Sequence, residues 1–135
     1  MSIRVVRLGS PRAQGEGVRI GTVRRPPRGV PKSDFAKRDY YDAWLPVLSP
    51  SAELVKFALS AANEKLWRTF VKRYRAEMAK PDATAVLNVL AALSHTANFA
   101  VGCYCEDESR CHRSVLRELL REQGAALAGE VASRT

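Results

Sequence analysis

The stretch 99-FAVGCYCEDESRCHRSVLRELL-120 decides the fold. Phe99–Cys103 is apolar at successive positions, so both faces of a strand built from it must be covered, as in a central or parallel strand. Glu106, Asp107 and Glu108 follow in a polar turn, where carboxylates suit the start of a helix. Val115, Leu116, Leu119 and Leu120 then recur at helical spacing, and Gly124 stands where a helix ends. The pattern predicts a buried strand that runs through an acidic turn into a helix from about Ser109 to Gln123.

Upstream, Trp67, Phe70, Val71, Tyr74 and Met78 fall on one helical face, while Lys72, Arg73 and Arg75 fall off it. Pro81-Asp82 breaks that helix, and Val86, Leu87, Val89, Leu90 and Leu93 predict another, ending near Ser94. Ser49-Pro50-Ser51 opens a third, with Leu54, Val55, Ala58 and Leu59 as its apolar stripe. Ala43–Leu48 reads as extended, but Pro46 denies it a central place in a sheet.

Two strands are expected near the N-terminus, Ile3–Leu8 and Val18–Arg24, separated by the loop 9-GSPRAQGEG-17. In the second, Val18, Ile20 and Thr22 alternate with Arg19, Gly21 and Val23. The proline-rich segment RRPPRGVPK is a loop carrying Arg24, Arg25, Arg28 and Lys32, and Ser33 caps a short helix to about Tyr41. Strands at both ends with helices between them predict a single α/β domain over residues 1–135: a small, mainly parallel or mixed sheet covered by helices. Mixed strand directions are expected, and the tail 126–135 is expected to fray.

The length of 135 residues suits one modest core. No apolar run approaches the roughly 18 residues that span a bilayer, and MSIRVVRLGS lacks a signal-peptide core, so the expected address is the cytoplasm, with no membrane partner. Three cysteines, an odd number, argue against a closed disulfide framework. The net charge is +8, and residues 1–40 carry most of it, with ten Lys or Arg against three Asp or Glu. A basic N-terminal third favours an anionic partner, whether nucleic acid or a phosphate-bearing small molecule; it also serves solubility alone.

All three cysteines and one of the two histidines lie in the deciding stretch. Cys103, Cys105, Cys111 and His112 are zinc-ligand types, but structural zinc uses paired knuckles, and adjacent Cys111 and His112 diverge by about 100° if both are helical. No metal and no cofactor are therefore expected, and a zinc-binding module is the weakest reading. A second reading is an enzyme with Cys111 or Cys103 as nucleophile or His112 as acid and base, since a thiol at a helix start loses its proton more easily. The leading reading is an anion site. A strand end followed by a helix start binds phosphates in α/β proteins, and Arg113 in the first turn adds a forked donor. Arg24 and Arg28 would join it if their strand is the parallel neighbour of Phe99–Cys103, with Asp42 as a polar partner.

Several segments also resemble a known family. EGVRIGTVRRPPRGV (16–30), YDAWLPVLSPSAEL (41–54) and WRTFVKRYRAEM (67–78) are similar to the domain-of-unknown-function family 488, in particular its YeaO-like branch. The matching positions include Arg24, Pro27, Arg28, Gly29, Asp42, Trp44, Pro50, Ser51, Trp67, Phe70, Arg73 and Tyr74. Cys103 at the strand end and Cys111-His112-Arg113 at the helix start fit the wider family. Cys105 stands where that family tends to have glutamate, and Pro26 where the branch has tryptophan. The resemblance implies a compact α/β domain and implies no particular reaction.

Overall fold

Backbone hydrogen bonds in a computed structural model of the chain, which describes residues 1–130, join four parallel strands. They are β1 (Ile3–Arg7), β2 (Val18–Gly21), β3 (Ala43–Trp44) and β4 (Phe99–Cys103), in the order β1-β4-β2-β3. β4 is interior and all five of its residues are buried, as its unbroken apolar run requires. Phe99 registers with Ile3 of β1 on one side and Val18 of β2 on the other. The expected mixture of strand directions does not occur, because no neighbouring pair is joined by a hairpin; even β2 and β3 are linked by the long segment 22–42. β3 is an edge strand of two residues, and Pro46 turns the chain at once into a 3₁₀ turn, Pro46–Leu48.

Four helices follow: α1 (Ala52–Leu59), α2 (Glu64–Met78), α3 (Pro81–Leu93) and α4 (His112–Glu122). The Ser51 hydroxyl accepts the Leu54 N–H at the start of α1, as its sequence position predicts, and the Asn63 side chain does the same for Leu66 in α2. Pro81 occupies the first turn of α3, where its missing N–H costs nothing. Phe70, Tyr74 and Met78 of α2, Leu87 and Leu90 of α3, and Val115, Leu116 and Leu120 of α4 meet Ile3, Phe99 and Val101 in one core. No helix among the described residues is long and apolar enough to cross a membrane.

Two short elements differ from their sequence pattern. Lys32–Asp34 is a 3₁₀ turn without a side-chain cap, so Ser33 starts no helix, and the chain turns on through Asp39 at φ +62°. α4 begins at His112, three residues later than expected, because Glu108–Arg110 forms a separate 3₁₀ turn capped by Asp107. Past α4, Gly124 adopts φ +87°, and the chain returns to β1: Ile3 N–H donates to Ala126 O at 2.9 Å, and Ala128 N–H to Ile3 O at 2.8 Å. Residues 126–128 of the expected frayed tail are thus bonded to β1, and residues 131–135 lie outside the described residues.

The sheet's second face is where periodicity misleads most. Val18 is half exposed and Arg19 is completely buried, the reverse of what their polarity suggests. Loops cover this face in place of helices. The close approach leaves no room for side chains: a Cβ on Gly102 would lie 2.7 Å from the Leu8 side chain, and one on Gly21 would run into the Tyr41 ring. Arg19 sits beneath those loops. Its Nε and Nη2 bond both oxygens of buried Glu16 at 2.8 and 3.0 Å, and Nη1 donates to Ser10 O and Asp39 O at 2.8 and 2.7 Å. The Arg19→Met variant leaves the Glu16 carboxylate buried without its counter-charge, so urea denaturation is expected to show a loss of about 3–5 kcal/mol. A loss below about 1 kcal/mol, the scale of an exposed pair, would contradict this account.

Candidate functional site

The carboxyl ends of β2 and β4 meet the start of α4. Thr22 N–H extends the β2–β4 ladder by donating to Gly102 O at 2.9 Å, and Leu8 N–H does so from β1 by donating to Cys103 O at 2.8 Å. These bonds fix Cys103 at the end of β4, where its thiol is buried. Cys111 is the N-cap of α4, with extended backbone at φ −125° and ψ 152°. Its sulfur accepts the Arg113 N–H at 3.5 Å. Because Cys111 lies outside the helix and His112 inside it, the expected 100° divergence does not apply. The two side chains converge, with His112 Nδ1 3.8 Å from Cys111 Sγ.

The other ring nitrogen fixes the histidine. Nε2 lies 2.9 Å from Thr22 O, a carbonyl that can only accept, so the neutral ring carries its proton on Nε2 and turns the Nδ1 lone pair toward Cys111. The Thr22 hydroxyl donates to Gly102 O at 3.0 Å and lies 3.2 Å from the same Nε2. Tyr74 packs its ring edgewise on the imidazole at 5.5 Å. The ligand atoms of Cys103, Cys111 and His112 all lie within 4.8 Å of one another. Cys105, exposed in the turn after β4, brings its sulfur within 3.8 Å of Cys103 Sγ.

The three thiols share protons unequally. Hydrogen bonds to Cys105 and Cys111, with burial behind them, push the Cys103 thiol up. Cys105 is held below the usual thiol range by its bonds with Cys103 and Cys111 and by the charge of Arg113. Cys111 is lowered chiefly by its bond from Cys103 and further by His112. The hydrogen bonds within the cluster thus raise Cys103 and lower Cys105 and Cys111.

A cleft of about 740 Å³ opens over this cluster. Arg24, Arg28, Cys103, Cys111 and His112 line it together, so five of the seven residues singled out from sequence share one cavity. Arg24 is anchored there, donating to Pro50 O and Ser49 O at 3.1 and 3.2 Å, whereas Arg28 is exposed. The other two lie elsewhere. Asp42 is bound to Arg12 at 2.8 and 3.1 Å and accepts the Arg19 N–H at 2.8 Å, so it anchors the loops of the second face and does not line the cleft. Arg113 is buried beneath the turn after β4, donates to Cys105 O at 2.6 Å and is not among the residues that line the cleft. Sequence reasoning passed over Thr22, Lys56, Phe70, Tyr104 and Arg110. Thr22 touches His112, and the other four line the cleft. The basic pair had a signal in its charge, but no local pattern joins α1, α2 and the turn after β4.

The chain matches, over residues 3–124, a family model described as DUF488-N3a, the active DUF488-N3 subclade. No curated protein and no solved structure matches it. The family resemblance seen in the motifs is therefore shown, and the assignment to a YeaO-like branch rests on those motifs alone.

The acid response follows from Asp42 and Glu16. Burial raises both carboxyls, but the bonds from Arg12 and the Arg19 N–H bring Asp42 below its ordinary value, and those from Arg19 and the Ala13 N–H do so for Glu16. Groups lowered by folding stabilise fully above their unfolded values, about 3.9 and 4.3, and lose that contribution as pH falls through the lower folded values. Thermal melts are expected to hold steady from pH 7 to about 5 on account of these groups and to fall below about pH 4, more gently in Asp42→Asn. An unchanged acid limb in that variant would count against Asp42 as an anchor.

Proposed function

The chain belongs to the DUF488 family, and from that premise and the lining of the cleft we propose that it binds a phosphate-bearing anion at the carboxyl edge of its sheet. The observation that carries this reading is the convergence of Arg24, Arg25, Arg28 and Lys56 with the start of α4 on one cavity. β2 and β4 are parallel neighbours, so the loops after them leave the sheet on the same edge. That crevice is where open parallel sheets take their ligands. Arg25, Arg28 and Lys56 form no ion pair among the described residues, so their charge is available to a ligand. Arg110 is already engaged, by Glu64 at 2.6 Å and by the face of Trp67. Glu53 is the acidic member of the lining, which favours a ligand that also presents a hydrogen-bond donor.

Calorimetric titration with pyrophosphate, a nucleoside monophosphate and a short single-stranded oligonucleotide tests the reading and separates the sources of phosphate. A charge-assisted bond contributes about 1.5–3 kcal/mol, so Arg28→Ala is expected to weaken binding about tenfold or more. Affinity is expected to fall with added salt, and Asp42→Asn to leave it unchanged. Absence of binding by all three probes, or full affinity in Arg28→Ala, would refute it.

A second reading, a thiol-dependent enzyme, is favoured by His112 Nδ1 facing Cys111 Sγ and fits the subclade's description as active. It predicts that iodoacetamide labels Cys111 faster than Cys103 in the folded protein, and that His112→Ala removes the preference. Equal labelling of the two would dismiss it.

A further inference from the structure

The geometry points to a zinc site built from Cys103, Cys105, Cys111 and His112, with Arg113 as its buried counter-charge. The inference stands apart from the anion reading, since its ligands are the thiols and the imidazole and not the arginine loop.

Three observations carry it. The first is distance. Zinc–sulfur bonds of about 2.3 Å at tetrahedral angles place neighbouring sulfurs about 3.8 Å apart. Cys103 Sγ and Cys105 Sγ are 3.8 Å apart, Cys111 Sγ and His112 Nδ1 are also 3.8 Å apart, and Cys103, Cys111 and His112 fit within 4.8 Å. Cys103, Cys111 and His112 thus supply three corners of one small tetrahedron, and Cys105, beside Cys103 in the turn, is the fourth ligand of the proposal.

The second is the orientation of the ligands. A metal-binding imidazole keeps its other N–H on a carbonyl or carboxylate, which fixes the tautomer. His112 Nε2 meets Thr22 O at 2.9 Å, and this leaves Nδ1 free on the side of the sulfurs. Cys111 Sγ accepts the Arg113 N–H from the first turn of α4, a bond that stabilises a thiolate.

The third is charge. Arg113 is 3% exposed and its guanidinium has no acidic partner among the described residues. One of its N–H groups is taken by Cys105 O, and its Nε has no partner among the described residues. A buried cation requires a nearby negative charge. Three thiolates, one neutral imidazole and a divalent cation sum to a single negative charge beside it. Three sulfurs and one nitrogen suit zinc over magnesium or calcium, which prefer oxygen.

Zinc per chain is measured by mass spectrometry on protein purified without added metal, and cobalt is then exchanged in. The expected result is close to one zinc per chain and a cobalt spectrum of tetrahedral intensity with thiolate charge-transfer bands. Cys105 is exposed, so Cys105→Ser is expected to fold as the wild type by circular dichroism while losing part of the charge-transfer band. Arg113→Met is expected to weaken zinc by about 10–100-fold in competition with a chromophoric chelator. Folded wild-type protein that takes up neither zinc nor cobalt would overturn the site, and so would zinc held equally by Cys105→Ser. If Cys105→Ser fails to fold, the wild-type cobalt spectrum decides alone: no thiolate band, no site. Rapid alkylation of Cys111 in zinc-loaded wild type would also overturn it. None of these readouts depends on phosphate binding, so the two ideas fail separately.

Discussion

A guanidinium removed from water must find its partners in the protein, and Arg19 finds them in the segments that close the second face of the sheet. It binds the Glu16 carboxylate and the carbonyls of Ser10 and Asp39, while its own N–H is taken by Asp42. Phe35, Tyr40 and Tyr41 of the segment 35–42 pack with Leu8 and Val23 in a small apolar cluster, whereas the loop 9–17 carries no large apolar residue and is held mainly by its polar bonds. The buried charge adds direction to that packing. With that face closed, β4 is covered on both sides, and its carboxyl end can be held rigidly between β1 and β2.

That rigidity positions the functional end of the molecule. Leu8 and Thr22 bracket the end of β4, Thr22 aims His112, and the extended backbone at Cys111 swings its sulfur back over the strand. A second buried arginine, Arg113, lies under the same turn. The two arginines differ in one respect. Arg19 has a carboxylate, whereas Arg113 faces carbonyl oxygen and sulfur. Arg113 therefore lies buried beside the thiols without a carboxylate, below a cleft lined by Arg24, Arg28 and Lys56.

The helices and the central strand were legible because each writes its burial into a local period. The α2 stripe of Phe70, Tyr74 and Met78 and the unbroken Phe99–Cys103 run are examples. The start of α4 was misplaced because acidic residues can cap either a 3₁₀ turn or a helix, and Asp107 serves the former. The place of Asp42 away from the cleft was hidden for a related reason. A carboxylate beside a family motif looks the same in sequence whether it meets a ligand or an arginine thirty residues upstream. Cys105 escapes motif matching altogether, since the wider family tends to have glutamate there.

The sequence by itself determined the α/β class, the interior place of β4 and the grouping of Cys103, Cys111 and His112 near one strand end, because apolar periodicity and chain adjacency are local properties. Only the tertiary structure decided which way the polar groups face. Arg19 and Arg113 turned inward, Arg28 stayed at the cleft, and Cys111 converged on His112. These outcomes depend on partners distant in the chain, Asp39 and Thr22 among them, and on one backbone angle at a helix cap. Charge and hydrogen bonding act through space, so their result is fixed only when the chain has closed on itself.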